Sequence, residues 1–365
     1  MFMGGRTRDR TRGRAGGRRG AVAAVLALGL AAVACSGGGG GPSNADLGLG
    51  PGETVVQFEG AGKLHLGGTL AMPDRPGKAA VGGVLIVPTV ARNNRDGYID
   101  VTPADAVYLD LSKAITGAGM AAFRFDRRSM GVSKLEDGQQ VTFDDMVADA
   151  KAALSFMAQR SGVDQSSLAL VGHDIGGIIA MRVAATDDRV KSVVFLSTPG
   201  RPLVDIVADS LVATDGPASA DAFRATIATL LSTGALPDRN SIRPEHQPLL
   251  PSGQDSVLRS IYSLDPPAEA AKVKVPALVV TGGQSTKVTA VDGARLAGAL
   301  ASAQVFSPGT TATLQQITPA LPQAFDPNDH RAHGGGRPSD TATRDLTALD
   351  RITSFLSSNV GGSRQ

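Results

Sequence analysis

The chain has 365 residues, 42% of them hydrophobic, enough apolar material for one large core or a core with an added cap. Seven arginines and one aspartate fall in residues 1–34, so the rest of a chain with a formal net charge of +2 carries a net −4. That mildly acidic remainder argues against nucleic-acid binding.

Residues 1–20 are basic and residues 21–34, "AVAAVLALGLAAVA", are apolar. Fourteen residues fall short of the ~20 needed to span a bilayer. The order of basic run, short apolar run and small residues is that of a secretory leader. The sole cysteine, Cys35, follows directly and resembles the lipidated cysteine of a bacterial lipobox. A plain signal peptide with an unrelated cysteine is the alternative. The segment "SGGGGGPSN" (36–44) is a flexible tether with no core-forming residues. Residues 35–52 are therefore expected to hang a domain of residues 53–358, with a short tail at 359–365, from an envelope membrane. One cysteine permits no intrachain disulfide.

Beyond the tether, "ETVVQFE" and "GKLHLGGTLAMP" predict two early strands, and "VGGVLIVP" (81–88) a strand buried on both faces. A helix is expected over 104–118, a strand over 120–126, and an amphipathic helix with an acidic first turn over 143–160. The strand "SLALVG" (167–172), a helix to about 186 and the strand "VKSVVFLST" (190–198) follow. Strict alternation then stops. Residues 201–270 carry helical patterns broken by proline-rich loops, as expected of a cap inserted between strands. It resumes with "VPALVVTGG" (275–283), a helix over 290–302, a short strand "AQVFS" and a last helix near 343–358. Strands alternating with helices imply a mostly parallel sheet covered on both faces.

The stretch "LALVGHDIGGIIA" (168–180) has the form of a nucleophile elbow, a strand, a glycine-rich turn and a helix, but its centre is Asp174 rather than serine. With "VLIVPTVARNNRDGY", "FRFDRRSMGVS", "FDDMVADAKAAL", "STPGRPL" and "VPALVVTGGQSTKVTAVDGARLAGAL", in this order, the chain resembles bacterial α/β-hydrolases of the serine esterase and serine aminopeptidase-like type. The resemblance implies an α/β-hydrolase fold with a helical cap. It places Asp174 at the nucleophile, Ser285 at the acid and Ala312 at the histidine. Thr89, Val90 and Ala91 stand where a glycine-rich oxyanion loop is usual, with Ile175 as the other oxyanion position. Ser129 replaces a further turn glycine.

These changes remove the acyl-enzyme serine, its base and the acid that orients the base. They also alter an oxyanion site worth ~3–4 kcal/mol in such enzymes. The resemblance therefore points to a hydrolase fold that has lost its serine triad and binds a small hydrophobic, acyl or peptide ligand or a partner. The alternatives are a weak esterase and an Asp174-dependent hydrolase, since "GHDIGG" also resembles the elbow of epoxide hydrolases and haloalkane dehalogenases. An aspartate nucleophile still needs a base to activate water. Of five histidines, His65 falls in an early strand, His173 in the elbow and His246 in the cap; His330 and His333, beside Asp326 and Asp329, are the base candidates, against the plainer reading of a solvated loop. Asp126 and Arg128 are expected to form an ion pair at a strand end. No cofactor or metal is implied.

Overall fold

The computed structural model describes residues 49–361 apart from 75–78, 91–93, 98–105, 132, 134, 136–138, 283–284, 286 and 308–345. Eight strands form one sheet: β1 Glu53–Glu59, β2 His65–Ala71, β3 Val81–Val87, β4 Ala121–Phe125, β5 Val163–His173, β6 Val190–Leu196, β7 Ala277–Val280 and β8 Ala303–Phe306. Their spatial order is β1-β2-β4-β3-β5-β6-β7-β8. β1 and β2 form the expected antiparallel hairpin, β2 runs antiparallel to β4, and every other pair is parallel.

The central strands are apolar in both alternating sets because both faces are covered. Leu85, Val87, Leu168 and Leu170 point into one core with α2 (Phe143–Ala158) and α3 (Ile175–Ala184). Val84, Ile86, Ala169 and Val171 point into the other with α1 (Val107–Gly117) and α9 (Leu346–Val360). Each fully buried Leu, Ile or Val contributes ~1.5–3 kcal/mol. The acidic start predicted for α2 forms a capping box, with Thr142 Oγ1 accepting from the Asp145 N–H at 3.2 Å and Asp145 Oδ2 accepting from the Thr142 N–H at 2.8 Å. On the α9 side, a Cβ at Gly82 would fall inside the Val360 carbonyl, so only glycine lets the last helix lie this close to β3.

Between β6 and β7 lie α4 (Leu203–Asp215), α5 (Pro217–Thr233), two 3₁₀ turns, α6 (Asp255–Tyr262) and α7 (Pro266–Ala270). α5 packs on α4 and α6, and α6 reaches α2. The interior of this insertion is aromatic. His246 and Tyr262 both meet Phe223 edge-on, at ring separations of 5.4 and 5.9 Å, and His246 Nε2 lies 2.9 Å from Ser219 Oγ. α8 (Ala290–Ala299) links β7 to β8. Among the described residues no helix is long and apolar enough to cross a membrane.

Two local expectations need correction. β5 starts at Val163 rather than near 167, because Val163 pairs with Val81 and a register irregularity then absorbs the polar residues between. Asp126 and Arg128 do not pair with each other. Arg128 holds Asp149 of α2 through two bonds of 2.6 and 2.7 Å, while Asp126 accepts from the Arg95 N–H and pairs with its guanidinium at 3.4 Å. Neighbours in a strand-end turn diverge, and each charge finds a partner from another element.

Candidate functional site

Asp174 sits between β5 and α3 at φ 52°, ψ −124°, a backbone conformation strained for any residue with a Cβ. The glycines around it make the turn sterically feasible. A Cβ at Gly176 would strike the carbonyls of Val87 and Pro88, and one at Gly177 would strike Thr198. The turn is thus wedged between the ends of β3 and β6. The Asp174 N–H donates to the Leu196 carbonyl at 2.9 Å, fixing its height at the carboxyl edge of the sheet.

One sheet combines this strand order, an antiparallel first hairpin and a strained elbow at the end of the central strand β5. The chain has the α/β-hydrolase fold. A family model described as serine aminopeptidase, S33, matches residues 105–237. Among solved structures, DcsB in complex with its substrate analogue is 15% identical, with 84% of this chain and 100% of that one covered at a TM-score of 0.54. An acetyl xylan esterase from a Paenibacillus species is 16% identical, with 84% of each chain covered at a TM-score of 0.52. The α/β-hydrolase GrgF from a Penicillium species is 16% identical, with coverage of 84% and 99% and a TM-score of 0.51. No curated protein sequence matches the chain.

Within this hydrolase fold the elbow carries a buried carboxylate. Thr89 Oγ1 donates to Asp174 Oδ2 at 2.5 Å. Oδ1 is equally buried and has no well-formed hydrogen bond. Burial pushes the Asp174 carboxyl up to about 7, against opposing pulls from the Thr89 hydroxyl, the Ile175 N–H and the charge of Lys287. At neutral pH it is therefore divided between its ionised and neutral forms.

Thr89 is committed twice. Its side chain holds Asp174, and its N–H donates to Tyr108 Oη at 3.0 Å. Tyr108 Oη also lies 2.8 Å from His173 Nδ1. The Thr89 N–H, expected to face an oxyanion, is consumed inside the protein, and the elbow's own imidazole is turned onto Tyr108. Ile175 heads α3, fully buried, with its N–H toward Asp174.

Ser285 follows β7 at the same edge of the sheet. It is buried, its N–H closes a turn onto the Gly282 carbonyl at 3.0 Å, and its hydroxyl has no hydrogen-bond partner. Two residues on, half-buried Lys287 lies within electrostatic range of Asp174. Burial lowers its ammonium below the ordinary lysine value and the Asp174 charge offsets part of that. Lys287 and Tyr108 are absent from the sequence expectations. The only sequence signal for Lys287 was its place in "GGQSTKV", two residues past the acid position. Tyr108 gave none beyond its helix.

Among the described residues no imidazole hydrogen-bonds to Asp174, and no group of three or more His, Cys, Asp or Glu could hold a metal. Tyr262 is buried against Phe223, which pushes its hydroxyl above the usual tyrosine value. Clefts of about 490 Å³ beside β1 and α1, and about 430 Å³ among α2, α3 and α7, include neither Asp174 nor Ser285. Cys35, Ala91, Ala312, His330 and His333 lie outside the described residues.

Proposed function

We propose that this chain is a non-catalytic binding protein built on the α/β-hydrolase fold, anchored in a bacterial cell envelope by a lipid on Cys35. Its ligand is a small hydrophobic, acyl or peptide molecule held near the old elbow. The observation that carries this reading is the double commitment of Thr89. Its hydroxyl holds the elbow carboxylate and its N–H is spent on Tyr108, so the electrostatic stabilisation that acyl transfer requires is not on offer from this loop. An aspartate raised to about 7 also enters any attack only partly ionised.

The absence of serine at the centre of the elbow removes a conventional acyl-enzyme. The second reading, an Asp174-dependent hydrolase of epoxides or haloalkanes, draws on the preserved elbow strain and on the nearby charge of Lys287.

Incubation with a panel of aryl esters, epoxides and haloalkanes decides between them. No turnover above background and no labelling by fluorophosphonates is the expected result. An ester adduct on the peptide containing Asp174, trapped and found by mass spectrometry, would establish the second reading instead. For the anchor, Cys35→Ser should abolish lipid labelling and release the protein from membranes; unchanged partition would remove the lipoprotein assignment.

A further inference from the structure

The insertion between β6 and β7 buries a titratable group far in sequence from the elbow. His246, in the 3₁₀ turn Pro244–Leu249, is fully buried. Its Nε2 lies 2.9 Å from the hydroxyl of Ser219, itself buried in the first turn of α5. Its Nδ1 is buried with no hydrogen-bond partner. The ring meets Phe223 of α5 edge-on at 5.4 Å, and Phe223 meets Tyr262 of α6 edge-on at 5.9 Å. One imidazole thus joins the turn to α5 and, through Phe223, to α6. Gln247 spends its amide close by, on the Arg239 and Ile242 carbonyls. α5 packs mainly on α4 and α6 rather than on the sheet.

This site suits a neutral ring and not a charged one. A neutral imidazole has one N–H, which Nε2 can spend on Ser219 Oγ while Nδ1 stays bare. Imidazolium has two, and the second would be buried with no acceptor. The charged groups around the ring are Glu245 and Arg243 of its own turn and Asp215 at the end of α4. From α5 and α6 come the uncharged Ser219, Phe223 and Tyr262. Glu245 lies 3.5 Å from Ser219 Oγ but is paired with Arg243 at 3.4 Å, and all three charged residues are exposed, so solvent screens them. Burial lowers the imidazole below its ordinary value; Glu245 and Asp215 oppose this and Arg243 adds to it.

We propose that His246 is an acid-sensitive latch: neutral, it seats the 244–249 turn on α5; protonated, it frees α5 and that turn from α6 while the sheet stays folded. The effect is local because α5 is held chiefly by its neighbours in the insertion. Its sign follows from the form that folding favours. The neutral ring is favoured, so its stabilisation is complete above about pH 6.5 and is lost as the pH falls through the lower folded value. Asp174 works in the opposite direction, since its neutral form stabilises the fold in acid, and so cannot mimic this loss.

The test is hydrogen exchange read by mass spectrometry on the full-length protein at pH 7.5 and pH 5, each peptide corrected for its intrinsic exchange rate. Protection over residues 217–250 should fall about tenfold or more at pH 5, while that of β5 changes by less than about threefold. His246→Gln keeps a donor for Ser219 and takes up no proton, so its protection over 217–250 should be the same at both pH values. Proton resonances of the parent's histidine rings give a second reading that needs no folded His246→Gln. With the other four histidines assigned by replacing each in turn, the His246 ring should titrate below 6.5. Unchanged protection over 217–250 at pH 5, an equal loss in β5, the same acid loss in His246→Gln, or a His246 ring titrating at or above 6.5 would overturn the proposal.

Discussion

The turn at the end of β5 and the loops facing it are held in place by different means. The turn keeps everything mechanical about an elbow: the positive φ at Asp174, the glycines wedged against β3 and β6, and the helix that starts at once. The loops after β3 and β7 are held differently. Thr89 is bonded inward on both its hydroxyl and its N–H, and the buried Ser285 hydroxyl, at the position expected for an acid, has no hydrogen bond. The difference is one of constraint. The turn is clamped by the Val87 and Pro88 main chain on one side and the Thr198 side chain on the other, so its shape is a packing requirement whatever chemistry it carries. A loop side chain that serves only chemistry has no such tether.

The largest effect should come from attacking the clamp. In Gly176→Leu the new side chain meets the Val87 and Pro88 carbonyls, which are main chain and cannot rotate away. Loss of soluble, cooperatively unfolding protein is expected by circular dichroism and urea melts. A variant that melts like the parent would mean that the turn is free to shift.

A smaller effect, of opposite sign, is expected at the chemical position. The folded Asp174 carboxyl is raised to about 7, above its unfolded value of 3.8. The neutral form is thus favoured by folding. Its stabilisation is complete below about pH 4, falls as the pH rises, and is gone above about pH 7, a change on the order of 4 kcal/mol. Asp174→Asn has no such titration. Its stability relative to the parent should rise steadily from pH 4 to pH 7 in urea denaturation, then level off. Parallel pH profiles would show that Asp174 is not held in a desolvated site.

The smallest effect should be that of Asp174→Ser on esterase activity, which is expected to stay at background with a p-nitrophenyl ester. A serine there has no bonded imidazole among the described residues, and the Thr89 N–H is already spent. Groups that act as a unit return little when one is restored. A hundredfold gain would mean that the facing loops are intact after all.

Most of the scaffold could be read from the sequence because periodicity reports burial directly. The continuous apolar runs at 81–87 and 168–172 became strands covered on both faces, and the acidic start at 144–145 became a capping box. The elbow was equally legible, since glycine spacing records close backbone contacts. The site was legible only as positions, not as bonds. Nothing in the sequence says that Thr89 reaches Asp174 across 85 residues, or that Tyr108 takes both Thr89 and His173. Lys287 was hidden for the same reason, because its meaning lies in how a loop folds back toward another strand. Proximity along the chain even misled, as with Asp126 and Arg128, whose partners came from elsewhere.

The last helix sets an order of events for the nascent chain. α9 covers the face of the sheet made by Val84, Ile86, Ala169, Val171 and Val194, and its end is seated on Gly82, near the start of the domain. It is made after all eight described strands. A chain stalled before residue 346 has already made the eight described strands and α1 but lacks the α9 part of that face's cover, so the second core closes only once α9 is made. At ~5–20 residues per second this lasts about a few seconds, during which the growing polypeptide exposes apolar surface to chaperones and proteases. Truncation after residue 345, which removes α9, would make that transient vulnerability permanent.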